Sequence, residues 1–305
     1  MAIIGHMLNL DKLTFSAKTL NLISEIDTFK GAWNALEKHT TALQLLGDVA
    51  HFGRTFKSVL EPLQTKEITE DMVRLLHRIA IASKEPSVYK SKDFPLIIQG
   101  GTRLYGSLDT ASPEEAALLM SKLVPWLEQA ISDRKHHPLV VISLFTAVFL
   151  QIAPFEKGNQ KLSRMLMTLL MFKAGYAYAP YVALEPLLNE RLEEYHKTLA
   201  AVQESLESGR ADWEPWLLFM LTWMKDQKDL LAQKLEMGGD SMAAMPGLST
   251  KVLKLFEDHE RLSMKEIERL TRGRRSTLKL RLGELVEGGY INRHGQARST
   301  WYARA

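Results

Sequence analysis

Apolar residues recur three and four positions apart through most of this chain, in segments near 32–50, 68–84, 113–133, 137–152, 160–174, 184–207 and 212–234. That spacing puts them on one face of a helix, so the pattern predicts a mainly α protein. Gly175 and Gly209 follow two of these runs, where a left-handed residue commonly ends a helix. One stretch breaks the rhythm. In PLIIQGGTRLYGSL (95–108) two short β-prone runs flank Gly100-Gly101, which predicts a β-hairpin. The longest apolar run, LVVISLFTAVFL (139–150), has 12 residues against the roughly 20 that span a bilayer, and reads as a buried core helix.

Beyond residue 235 the periodicity lapses. EMGGDSMAAMPG (236–247) is rich in glycine and small residues and reads as a linker. After it, a helix from about Thr250 to His259 carries Val252, Leu253 and Phe256 on one face. SMKE (263–266) is a capping box that opens a second helix ending near Thr271. RGRR turns about Gly273, and a third helix starts near Ser276, taken as its cap, and closes at Gly288-Gly289. It buries Leu278, Leu282, Leu285 and Val286; YINRHG and STWYARA then read as two short strands.

Charge sharpens this division. The chain carries +3 overall, but residues 248–305 hold 13 Lys/Arg against 7 Asp/Glu, and the remainder 26 against 29. A basic tail on a slightly acidic body points to a polyanionic partner for the tail. Cysteine is absent, which rules out disulfides and thiolate metal sites and fits a reducing cytoplasm. The opening MAIIGHMLNLDKLT lacks the apolar core of a signal peptide, and its GHM reads as an addition to the natural sequence. A soluble cytoplasmic protein with no membrane partner is expected.

Helix, helix, turn, helix and a two-stranded wing form an order that resembles the winged helix-turn-helix family. The resemblance covers nearly all of residues 248–305. It implies a third helix that enters the major groove of double-stranded DNA with its N-terminal end against phosphates and base edges. Arg274, Arg275, Thr277, Lys279 and Arg281 fall at or near that end, and Arg293, His294 and Arg298 in the wing. A basic cluster more commonly just solvates a surface, and winged helices also serve as protein-interaction modules. The coincidence of the cluster with the inserting helix favours DNA.

APFEKGNQKLSR (153–164) resembles the signature of the Fic (filamentation induced by cAMP) family, His-Pro-Phe-x-Asp/Glu-Gly-Asn-Gly-Arg-x-x-Arg. HPLVVISLFTAVFLQI and LSRMLMTLLMFKAGY look like the helices before and after that signature. LNERLEEYHKTLAAVQ and WEPWLLFML are similar to later ones, so the resemblance covers about residues 30–232. It implies transfer of AMP from ATP to a protein hydroxyl, with a histidine as general base, an acidic residue holding magnesium, a glycine under the phosphates and two arginines. Here these positions are Ala153, Lys157, Gln160, Lys161 and Arg164. A methyl group accepts no proton, and an ammonium repels a divalent cation. Gln160 brings a Cβ to a close-approach position, and Lys161 loses the bidentate fork. Glu156 stands beside Lys157, but adjacent side chains diverge.

Pro154, Phe155, Gly158, Asn159 and Arg164 persist, so Gly158, Asn159, Lys161 and Arg164 remain candidates for holding a nucleotide or anion at a helix N-terminus. The family's inhibitory helix falls on RTFKSVLEP, with Glu61 as its glutamate, Lys57 where Ser/Thr belongs and Pro62 where Gly/Asn belongs. Glu61 would then pair with Arg164; otherwise it is a solvated residue at a helix end. The 95–108 hairpin corresponds to the family's target flap, on which Tyr105 is the candidate contact for a protein partner, or else a cover for the sheet edge. His136-His137 lacks a third metal ligand at useful spacing, and the Trp and Met residues of WEPWLLFMLTWM follow helical spacing as core.

These readings combine into an N-terminal segment (1–30), a Fic-like helical bundle with a small β-hairpin flap (31–235), a linker (236–247) and a C-terminal winged helix (248–305). The expected function is a DNA-binding transcriptional regulator. Its transferase loop is disabled, and its body serves homodimerisation or the binding of a ligand or partner. No catalytic residue, metal or cofactor is expected, with ATP and magnesium required only if activity is retained. The alternatives are a residually active protein adenylyltransferase and a non-enzymatic scaffold or antitoxin-like partner.

Overall fold

A computed structural model describes residues 13–36, 48–243, 247–287, 289–295 and 299–304. Cα proximity divides the chain into two units, one holding residues up to Gly31 with Ser58–Lys228, the other Ala32–Lys57 with Asp229–Ala305. The elements up to the second unit's C-terminal part are α1 (Ala17–Leu36), α2 (Asp48–Gln64), α3 (Glu70–Ala80), β1 (Leu96–Gly100), β2 (Arg103–Leu108), α4 (Pro113–Asp133), α5 (Pro138–Ile152), α6 (Asn159–Lys173), α7 (Leu184–Asn189), α8 (Leu192–Glu207) and α9 (Glu214–Ala243). A 3-10 turn, Ala179–Tyr181, lies between α6 and α7. Among the described residues no helix is long and apolar enough to cross a membrane.

Helix α5 is the axis of the first unit. Every residue from Leu139 to Leu150 is buried. Its two hydroxyls turn back onto the helix's own carbonyls, Ser143 Oγ donating to Leu139 O and Thr146 Oγ1 to Ile142 O, each at 2.7 Å. That lets a helix carrying polar atoms be apolar all round. Trp216 Nε1 on α9 donates to Ser143 O at 2.7 Å, so a fully buried indole keeps its hydrogen bond. Helix α4 begins at a capping box, with Glu115 N donating to Ser112 Oγ and Ser112 N to Glu115 Oε2. The hairpin β1–β2 pairs Leu96 with Leu108 and Gly100 with Arg103, with a bulge between Ile98 and Gln99.

Three boundaries differ from those the sequence suggests. From residue 13 onward the N-terminal segment is part of the helical body: α1 is capped by Ser16 Oγ, which accepts from Thr19 N at 3.1 Å. It is held there by Thr19 Oγ1 donating to Glu214 Oε1 and by Tyr176 OH donating to Asp27 Oδ1. The single run expected over 184–207 is two helices, because Arg191 leaves helical geometry at φ −128° and ψ 20°. Its guanidinium is drawn to Asp226 on α9 at 2.9 Å, a tertiary contact the local pattern does not contain.

The expected linker 236–247 is helical as far as Ala243, with residues 244–246 outside the described set. Gly238 and Gly239 each cost about 1 kcal/mol in a helix interior. Extending a helix already nucleated upstream gains one hydrogen bond for each residue fixed, which carries α9 through them. The units also meet at Lys228/Asp229, upstream of that segment, and 32–57 groups with the C-terminal part. Most of the helix expected near 32–50 lies outside the described residues.

The C-terminal part runs α10 (Gly247–Asp258), β3 (Arg261–Ser263), α11 (Met264–Thr271), α12 (Arg275–Glu287), β4 (Ile291–His294) and β5 (Trp301–Arg304). The strands form an antiparallel sheet in the order β3-β5-β4. Strand β3 goes unread in the sequence because three residues carry no periodicity. Val252, Phe256, Leu262, Ile267, Leu278, Leu282, Leu285, Ile291 and Tyr302 close one apolar core. Ser263 caps α11, reciprocally bonded to Glu266. Ser276 is not the cap of α12: the helix starts at Arg275, and Leu278 N donates to Arg274 O at 2.9 Å.

Candidate functional site

The loop 153–158 joins α5 to α6, the two helices packed at the centre of the first unit. Ala153 ends α5 in the left-handed region, φ 41° and ψ 66°, with its N–H on Phe149 O. It is wholly buried, so the loop begins with a methyl group in the core. Phe155 and Asn159 then close the turn on each other: Phe155 N donates to Asn159 Oδ1 at 3.1 Å, and Asn159 Nδ2 to Phe155 O at 2.7 Å. Both are buried, and the exchange gives partners to the amide oxygen and nitrogen of Asn159 and to the backbone N–H and carbonyl of Phe155. Gly158 takes φ 81°.

Two residues that the sequence reading passed over hold this loop from outside it. His77, on α3, stacks on Phe155 with centroids 3.8 Å apart. Its Nε2 faces Lys157 O at 2.8 Å and its Nδ1 faces Ser87 Oγ at 2.8 Å. A carbonyl only accepts, so Nε2 carries the proton and Nδ1 accepts from the serine. Burial, and secondarily the Lys157 ammonium, push the imidazole below its ordinary value, while the carbonyl of Lys157 pulls the other way. Lys90, also buried, donates its N–H to Pro154 O at 2.8 Å and its Nζ to Ile152 O at 3.1 Å and Thr110 Oγ1 at 2.9 Å. An ammonium on the last carbonyls of α5 sits at the negative end of that helix. Burial lowers its pKa. A lone histidine and a lone lysine 76 and 63 positions before Ala153 give no sequence signal for either role.

The remaining positions of the loop segment point in separate directions. Glu156 is exposed and accepts from Ser91 Oγ at 3.0 Å; Lys157 and Lys161 are exposed. Gln160 Nε2 donates to Ile97 O at 2.6 Å, tying the start of α6 to strand β1 of the hairpin. Arg164 is mostly buried and its Nη2 lies 3.0 Å from Glu185 Oε1 on α7. The expected pairing of Arg164 with Glu61 is therefore not formed: Glu61 is exposed on the last turn of α2. Glu185 reaches the arginine because the turn at 179–183 sets α7 beside α6, which nothing local at either residue announces. On the hairpin, Tyr105 lies half-buried under the Arg103 guanidinium, 4.6 Å from ring centroid to carbon.

His137 caps α5 through Nδ1 and meets Asp27 through Nε2 at 3.0 Å. Among the described residues no group of three His, Cys, Asp or Glu is placed to hold a metal ion.

In the C-terminal part, Arg274, Arg275 and Lys279 are exposed at the start of α12, and Thr277 is half-buried. Arg275 lies 3.4 Å from Glu268 on α11. Arg281 is turned onto Glu284 of its own helix, its Nη1 at 2.9 and 2.7 Å from the two carboxylate oxygens. Arg293 is exposed on β4, and His294 stacks on Trp301 across the β4–β5 pair, 4.2 Å between centroids. Arg298 lies outside the described residues.

A helical body whose α5–loop–α6 core faces a β-hairpin matches a known class of domain. Residues 67–171 match the Fic/DOC family, and the chain carries a Fic/DOC domain there. The protein adenylyltransferase Fic of Drosophila grimshawi is 32% identical over 119 residues, which are 37% of this chain and 22% of that protein. The Drosophila ananassae protein of the same name is 31% identical over 119 residues, again 22% of its length. The chain thus matches less than a quarter of each of these relatives. A Fic family protein from Desulfovibrio desulfuricans superposes over 96% of this chain and 97% of its own, with a TM-score of 0.56 and 16% identity, a likeness of fold.

Proposed function

We propose that this protein is a DNA-binding regulator built from a Fic-like body without transferase activity and a C-terminal winged helix. The observation that carries it is the exposure of Arg274, Arg275 and Lys279 at the N-terminal end of α12. Leu278, Leu282 and Leu285 of that helix are committed to the core. A helix so anchored presents cations where a polyphosphate backbone meets them. A homodimer reading two half-sites is the matching assembly.

The body's loop supports the non-enzymatic half of the reading. Ala153 supplies no proton acceptor, and His77, the imidazole stacked on the loop's Phe155, has both nitrogens engaged. Residues at the remaining positions do not fit a magnesium nucleotide. Lys157 is a cation where the metal needs an oxygen ligand, Gln160 spans to the hairpin, and Arg164 is neutralised by Glu185.

The test is a fluorescence anisotropy titration of the full chain with a mixed-sequence 30-base-pair duplex from low to moderate salt. With five to seven phosphate contacts the log-log slope is about −4.5 to −6, and each of Arg274→Ala and Lys279→Ala makes it shallower by about 0.9. A salt-independent signal, or one unchanged in the double variant, overturns the reading.

A further inference from the structure

The two sides of helix α12 differ in burial. Leu278, Leu282 and Leu285 fall within about 60° of one another at 3.6 residues per turn, and all three are buried. Ser276, Leu280, Gly283 and Glu287 fall within about 60° on the side opposite to them, and all four are exposed. Leu280 stands near the middle of that side, 57% exposed. Gly283 comes one turn later, inside the helix rather than at an end, and a Cβ there would meet nothing within 4 Å.

A single surface leucine is ordinary, and a glycine in mid-helix weakens the helix relative to alanine. Packing among the described residues leaves room for a side chain at 283, so it does not call for the glycine. What the missing side chain provides is a helix backbone open to a partner lying close against this side. Neighbouring charges make that partner a polyanion. Lys279 lies one turn before Gly283, and Arg274 and Arg275 begin the helix, all exposed, in a region holding 13 Lys/Arg against 7 Asp/Glu. Glu284 and Glu287, exposed towards the far end, repel phosphate and confine close contact to the part of the helix before them.

The major groove of duplex DNA carries one apolar group, the 5-methyl of thymine. We infer, on the DNA-binding reading proposed above, that Leu280 packs on thymine methyl groups in the major groove while Gly283 lets the base edges approach the helix backbone. The protein then prefers A·T pairs under the middle of α12, a preference that its cations cannot supply because phosphates are alike at every step.

Anisotropy titrations of the full chain test this with two 30-base-pair duplexes of alternating dA and dT, the second carrying deoxyuridine for every thymidine. The two differ only in the methyl groups, which every register offers. The thymine duplex is expected to bind about fourfold more tightly for each methyl covered, with the same salt slope on both. Leu280→Ser, a surface change, should bring the two affinities within about twofold and leave the salt slope unchanged. Gly283→Leu should melt at or above the wild-type temperature, leucine being the better helix former, yet weaken binding to the thymine duplex by about fivefold or more. Equal affinity of the wild-type chain for both duplexes, with a normal salt slope, overturns the inference and leaves DNA binding standing. Discrimination that persists in Leu280→Ser, or full affinity in Gly283→Leu, overturns it as well. No binding to either duplex overturns the DNA reading itself and the inference with it.

Discussion

The imidazole of His77 lies flat on the ring of Phe155, with the two planes 7° apart, while its two nitrogens grip Lys157 O and Ser87 Oγ. One side chain thus fixes the loop's central aromatic and its backbone together. The packing that excludes water from Phe155 also disfavours charge on the histidine.

Because burial places the folded-state pKa of His77 below its ordinary value, the unfolded chain binds the extra proton first as pH falls. The stabilisation is complete above the ordinary histidine range and is lost as pH drops through it towards the folded value. Thermal melts between pH 8 and pH 5 should show the midpoint falling most steeply below about pH 6.5. His77→Gln should flatten that component and lower stability at pH 8 by about 1–3 kcal/mol, through the lost stacking and one lost hydrogen bond.

Gly158 combines a left-handed backbone with no room for a side chain. A Cβ there would lie 2.5 Å from Ile81 Cγ2 and 3.3 Å from His77 Nε2. Gly158→Ala should destabilise by about 2–4 kcal/mol in chemical denaturation. Adding Ile81→Ala should recover the steric share and leave about 1–2 kcal/mol of backbone strain.

Gln160 holds the hairpin by a hydrogen bond to a carbonyl at the surface, so its removal costs mobility more than stability. Gln160→Ala should change unfolding free energy by no more than about 1 kcal/mol. Amide exchange across Leu96–Gly100 should rise several-fold, while exchange in α5 stays unchanged.

A histidine at position 153 alone should not confer AMP transfer. Histidine tolerates positive φ better than most residues, so the left-handed backbone at position 153 does not by itself bar Ala153→His. Lys157 would still repel the metal, and radiolabelled ATP should give no label above background. Ala153→His with Lys157→Glu and Gln160→Gly should label detectably, the base itself contributing about 10²–10⁴-fold.

Most of what recurs at short range was legible without coordinates. The start of α4 at Pro113 follows from Ser112 and Glu115, which bond to one another within a single turn. The hairpin follows from β-prone runs about two glycines, and the cap at Ser263 from a four-residue pattern. The candidate loop is marked by the order of Pro154, Phe155, Gly158, Asn159 and Arg164, which resembles a family signature.

The supports of that loop were not legible in the same way. His77 and Lys90 reach it only because α3 and the segment before the hairpin pack against the α5–α6 corner. Arg164 offers equal Coulombic attraction to any carboxylate, so Glu61 and Glu185 cannot be ranked until the chain turns at 179–183 and brings one of them to 3.0 Å. The breaks at Arg191 and the persistence of α9 past Gly238 have the same origin, a distant partner or an upstream helix outweighing a local preference of about 1 kcal/mol. Sequence by itself determined the helical class, the hairpin, the cap at Ser263 and the position of the loop, since these rest on residues close together in the chain. Which imidazole holds the loop and which acid holds Arg164 were decided by tertiary packing alone, because proximity between residues distant in the chain exists only once the chain has folded.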